Sequence, residues 1–114
     1  MREAPAHVAF FGDGEKTFRL TPELIVELER VTGTGIGSLS RRVFSSDFRH
    51  GDILDLIRLG LIGGGTEPQE AAALIAAYAA PMPIMSVYPV ALAILETALF
   101  GQAQVPANTQ EAAE

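Results

Sequence analysis

The chain contains no cysteine and no tryptophan. The missing cysteine excludes a disulfide scaffold, a thiolate zinc site and a cysteine nucleophile together. Lysine and arginine are absent after Arg58, while Glu67, Glu70, Glu96, Glu111 and Glu114 remain. The second half is therefore purely acidic, and the net charge is −6. A phosphate backbone would be repelled by that half, so no nucleic-acid partner is expected. Histidine is almost missing too. His7 and His50 are the only two, and neither has a second ligand at the i, i+4 spacing of a metal pair. Near the N-terminus only Arg2 is basic, and Glu3-Ala4-Pro5-Ala6 leads into a strand-like segment where a secretory leader would carry an apolar run.

Residues that carry chemistry are equally sparse. Gly33, Gly35 and Gly37 form G-x-G-x-G instead of G-x-G-x-x-G, and they follow a helical pattern, not a strand. No Gly-Lys-Ser/Thr occurs. Asp52 and Asp55 are three apart on one predicted helix. Acid–base work by such a pair requires burial that splits the two pKa values. Asp52 reads instead as a charge at a helix N-terminus, and Asp55 as a solvated neighbour of Arg58. A non-catalytic protein without cofactor or metal is the expectation. The stretch from Ala71 to Leu95 carries no charge and is long enough to span a bilayer. It is rich in alanine, broken by Pro81, Pro83 and Pro89, and has no basic flank, so no membrane span is expected.

What is present is pattern. The length of 114 residues suits one domain. Val8-Ala9-Phe10-Phe11 and Lys16-Thr17-Phe18-Arg19-Leu20 read as strands, with Gly12-Asp13-Gly14-Glu15 between them and Asp13-Gly14 supplying the turn. Thr21-Pro22-Glu23 opens a helix whose stripe is Leu24, Ile25, Leu28 and Val31, with Gly33 as its stop. A short helix with Ile36, Leu39 and Val43 in register follows, and Ser45-Ser46-Asp47 breaks it. A third helix begins at Asp52 with Ile53, Leu56 and Ile57 on one face. Gly63-Gly64-Gly65 ends it and reads as a stop plus a hinge. Thr66 to Gln69 has capping-box spacing and starts a fourth helix. The last helix places Ile84, Val87, Tyr88, Ala91, Leu92, Leu95, Ala98 and Leu99 on one face. Gln102 to Glu114 offers almost nothing to bury and is expected to be a disordered acidic tail.

The expected fold is α+β, mostly α: one N-terminal hairpin followed by four to five helices in a single domain, with the last helix central. The expected boundaries are a flexible N-terminus at 1–7, the domain at 8–101 and the tail at 102–114. The core should include Phe18, Leu20, Leu24, Leu28, Val31, Leu56, Ile57, Tyr88, Leu92 and Leu95. Phe44 and Phe48 are expected to anchor it.

Two groups of residues are candidates for binding another protein. Met82, Met85 and Val90 lie at or beyond the edge of the last helix's core arc, and methionine adapts to varied partners. Arg41, Arg42 and Arg49, beside His50, form a local basic cluster, suited either to an acidic partner or to a solvated face.

The order of elements is itself informative. Asp13-Gly14 leads into Phe18-Arg19-Leu20-Thr21, then the Leu24-to-Val31 helix ends in Thr32-Gly33. Gly37-Ser38-Leu39, Leu59-Gly60-Leu61-Ile62-Gly63-Gly64-Gly65 and a final helix ending Ala98-Leu99-Phe100-Gly101 follow. Over roughly residues 8–101 this resembles the gene transfer agent family of small phage proteins, grouped with phage tail assembly chaperones. The resemblance implies a chaperone that covers the long helical tape measure protein until tail tube subunits replace it, in the cytoplasm of the bacterial host during particle assembly. Some members of that family are labelled tail tube proteins. The alternative is therefore a permanent structural subunit of the tail tube or head–tail joint, with tube subunits or further copies of itself as partners.

Overall fold

The computed structural model describes residues 4–101. The expected acidic tail and the first three residues of the expected flexible N-terminus lie outside them. Strands β1 (Ala6–Phe11) and β2 (Gly14–Arg19) are followed by helices α1 (Pro22–Thr32), α2 (Ile36–Phe44), α3 (His50–Gly63), α4 (Pro68–Tyr78) and α5 (Ile84–Phe100). The architecture is thus the α+β, mostly helical single domain that the hydrophobic pattern predicts.

β1 and β2 pair antiparallel, with Phe11 opposite Gly14 and Ala6 opposite Arg19. Ala6 and His7, placed by sequence in a flexible N-terminus, are therefore in the strand. The turn is Gly12-Asp13, one residue earlier than expected. Gly12 takes φ 68° while Asp13 keeps a negative φ, the pattern of a two-residue hairpin turn with glycine first. The Tyr78 ring covers this glycine, and a Cβ there would lie 2.8 Å from Tyr78 Cδ2. Alternation then sets the faces. Phe11 and Phe18 point inward and meet edge to face, with ring centroids 6.1 Å apart. Val8 and Phe10 point outward and are exposed.

α1 forms as its sequence dictates. Thr21 Oγ1 accepts from the Leu24 N–H at 3.2 Å, and Pro22 occupies the first turn, where its missing donor is harmless. Gly33 ends the helix at φ 74°, donating to the Glu29 carbonyl. The Glu29 side chain then reaches on to accept from the Ile36 N–H at 2.8 Å. One residue of α1 thereby satisfies an orphan donor of α2, whose own N-cap, Gly35, has no side chain to offer.

α3, not the last helix, is the centre of the fold. It packs on β2, α1, α4 and α5. Ile53, Leu56, Ile57, Leu59 and Leu61 are all buried, which covers well over half of its circumference. Its C-terminal end presses on β2. A Cβ on Gly63 would overlap the Arg19 carbonyl oxygen, and one on Gly64 would overlap that of Thr17. Gly63 and Gly64 are therefore close-approach glycines and not the hinge that their composition suggests. α4 starts at Pro68 with Glu67 as N-cap and no side-chain cap bond, so Thr66 and Gln69 form no capping box.

α5 buries Val87, Tyr88, Ala91, Ile94 and Leu95. Ile84 and Leu99, expected on the core arc, are exposed, and Leu92 is half-buried. Periodicity cannot choose between Leu92 and Ile94, because both flanks of this helix are apolar. Leu24 and Val31 are likewise only half-buried, while Leu39 and Val43 on α2 are fully covered. Among the described residues no helix is long and apolar enough to cross a membrane. The uncharged stretch is split between α4 and α5 by the turn at Ala79–Pro83.

These contacts have measurable consequences. Ile94→Ala is expected to cost about 2–5 kcal/mol in urea unfolding, and Leu92→Ala clearly less, since only part of its surface is removed from water. Gly63→Ala and Gly64→Ala should each cost at least about 3 kcal/mol, because the obstacle is backbone. Gly51→Ala, with open space around it in the first turn of α3, should instead stabilise by about 0.5–1 kcal/mol. Equal effects at Gly51 and Gly64 would rule out the close approach.

Candidate functional site

The basic cluster is built into the fold. Asp52, in the first turn of α3, is buried. Its carboxylate accepts from the Arg49 backbone N–H at 3.0 Å, the reciprocal half of a capping box, and from the Arg42 guanidinium. Arg49 also donates from Nη2 to the Thr32 carbonyl at 2.6 Å, across to the end of α1. Asp52 is thus the helix N-terminal charge that the sequence suggests, and it is a buried one. It ties together the ends of α1 and α2 and the start of α3. Of the three arginines proposed from sequence, Arg42 and Arg49 bond within this junction, Arg42 half-buried and Arg49 still largely exposed, while Arg41 projects from an exposed position. Tyr88 closes the same region from α5, donating to the Val43 carbonyl at 2.6 Å and stacking on Phe48 with centroids 5.0 Å apart.

The apolar candidates divide differently. Met82, in the turn before α5, and Met85, in its first turn, are exposed. Val90 is half-buried against the core and is not a free contact residue. The most exposed apolar side chains besides these include two phenylalanines, Phe10 and Phe100. Phe100, the last residue of α5, is largely exposed and stacks on Phe44 of α2 with centroids 6.3 Å apart. Phe44 therefore does not anchor the core as expected. Phe10 is exposed on the outer face of the hairpin. Sequence reasoning missed Phe10 and Phe100 as contact residues. Phe10 sits beside inward-facing Phe11 in an apolar run, so alternation alone leaves its face open.

Charge elsewhere is local. Lys16 pairs with Asp13 at 2.9 Å across the hairpin turn. The hydrogen bond from Lys16 holds the Asp13 carboxyl below its ordinary range and raises the ammonium in return. On α1 the Arg30 guanidinium does the same to Glu27, one i, i+3 step away. Both pairs lie at the surface, each with one well-exposed partner, and contribute little to stability. Among the described residues no group of three or more histidine, aspartate or glutamate side chains is placed to hold a metal ion. What this arrangement offers chemically is apolar contact surface, most of it on α5 and the outer hairpin face.

The family model described as phage tail tube protein, GTA-gp10, matches residues 4–101. The chain belongs to this family. Nothing matches it among the curated proteins or among the solved structures. The gene transfer agent and phage tail assignment therefore stands, but the chaperone reading does not. The matched family is one of tail tube proteins, and the tape measure protein loses its support as the partner. The error has a physical origin. The resemblance rests on the order of hairpin, helices and glycines, which records how the chain packs and not what its surface meets.

The junction at Asp52 gives a direct test of the basic cluster's role. Asp52→Ala removes an acceptor from a buried site and should cost about 2–3 kcal/mol in urea unfolding. Arg41→Ala should change stability by less than about 0.5 kcal/mol. Comparable losses at both positions would contradict this division between junction and surface.

Proposed function

We propose that this protein is a permanent structural subunit of the tail tube in a phage or gene-transfer-agent particle, and that it acts by assembly and not by catalysis. The observation that carries the reading is the family match across residues 4–101, which spans every strand and helix of the domain. The distribution of side chains supports it. The histidines are separate, with His7 on β1 and His50 opening α3, and the buried carboxylate of Asp52 is used to join helices. Exposed apolar side chains occur on more than one face: Phe10 on the hairpin, and Met85 and Phe100 on α5. A subunit that must touch several neighbours needs more than one contact surface, because a head-to-tail contact joins two different patches. Its partners are accordingly further copies of itself and other tube subunits, met in the cytoplasm of the producing bacterium during assembly.

The reading is tested by protein analysis of purified particles. A subunit of the tube should be present at the chain's mass of 12.1 kDa, in a fixed ratio to the other tail proteins. Recovery from the cell lysate alone, with none in particles that have complete tails, would defeat it.

A further inference from the structure

The outward face of α5 is apolar along its whole length. Opposite the buried stripe of Val87, Ala91 and Leu95 lie Met85, Pro89, Leu92, Glu96, Leu99 and Phe100, in which Glu96 is the one charge. Phe44 of α2 extends the face at its C-terminal end through its stack on Phe100. Phe100 is 75% exposed, Met85 62%, Phe44 40% and Leu99 38%. At about 200 Å² for a fully exposed large side chain, these four alone present roughly 430 Å². That lies within the range of the largest apolar patch on a typical monomer, about 300–600 Å². It also supplies more than half of the ~800 Å² that each partner contributes to a stable interface.

We propose that in the free protein this face is covered by the same face of a second copy, the two α5 helices crossing antiparallel about a two-fold axis between Leu92 and Ala93. Three features favour this occupant. Antiparallel pairing about that point sets Met85 of one copy against Phe100 of the other at both ends, and thioether–aromatic contacts are favourable. The two Glu96 side chains then lie opposite Pro89 positions and are offset by about 10 Å along the axis, close to a Debye length. Parallel pairing would instead place them side by side. At the centre sits Ala93, small enough for the helices to approach closely. An isologous contact of this kind closes on itself and does not propagate. The dimer is therefore a soluble form that shields α5 before assembly. The inference rests on the α5 face and goes beyond the tube reading.

Sedimentation velocity of the full chain, with and without substitutions, tests it. The unmodified chain should sediment as a dimer at micromolar loading. Phe100→Asp and Met85→Asp should each raise the dimer dissociation constant about tenfold or more, because the two-fold axis places each change in the interface twice. Both sites are exposed, so thermal melting should show an intact fold. Because the chain has no cysteine, Ala93→Cys introduces a single thiol near the axis and should give a covalent dimer on mild oxidation. Val26→Cys, exposed on α1, should not. A monomer throughout the concentration range, or a dimer indifferent to both aspartates, would overturn the proposal. The tube reading fails on a different observation: a dimer in solution with no copy in the particle defeats that reading alone.

Discussion

The carbonyl oxygens of Thr17 and Arg19 occupy the space that β-carbons on Gly64 and Gly63 would need. That contact sets the position of α3 against β2, and much of the rest follows from α3. With its C-terminal end against the hairpin, its sides are left to α1, α4 and α5. Gly60 continues the same logic one turn earlier, where an added β-carbon would stand 3.2 Å from Ile94 on α5. A two-stranded hairpin is marginal in water by itself. Here its inner face, through Phe11 and Phe18, joins the core that surrounds α3.

Polar groups serve the same construction at the other end of α3. Asp52 holds Arg42 and the Arg49 backbone, Arg49 reaches the Thr32 carbonyl, and Tyr88 reaches the Val43 carbonyl. The Arg49 N–H and the Thr32 carbonyl stand at helix ends, where backbone groups lack intrahelical partners. The only residues that read as a charged binding site are thus mostly spent on joining three helices. What remains for other proteins to touch is apolar surface, and the family to which the chain belongs is one whose members are tail tube proteins. A protein built to be covered by its neighbours has reason to leave phenylalanine and methionine outside.

Local rules made part of this legible from sequence. The cap at Thr21, the stop at Gly33, the hairpin, the breaks around α4 and the five helices each follow from residues within a few positions of one another. The absence of cysteine and the acidic second half likewise follow from composition. Even the phage tail family was within reach, because the order of elements is a property of the chain.

Other features were decided by residues far apart in sequence. Whether Gly63 and Gly64 form a hinge or a contact depends on β2, more than forty residues earlier. The turn falls at Gly12-Asp13, not Asp13-Gly14, and Tyr78 of α4 lies over that glycine. Ile94 and not Leu92 is buried because α5 meets α3 on one of two similar apolar flanks. Arg42 is drawn in from the surface by a carboxylate that only the meeting of helix ends brings within reach. Sequence determined where elements begin and end, since caps, prolines and alternation act locally. Tertiary structure decided which apolar side chains are core and which are surface, since burial depends on what each face meets.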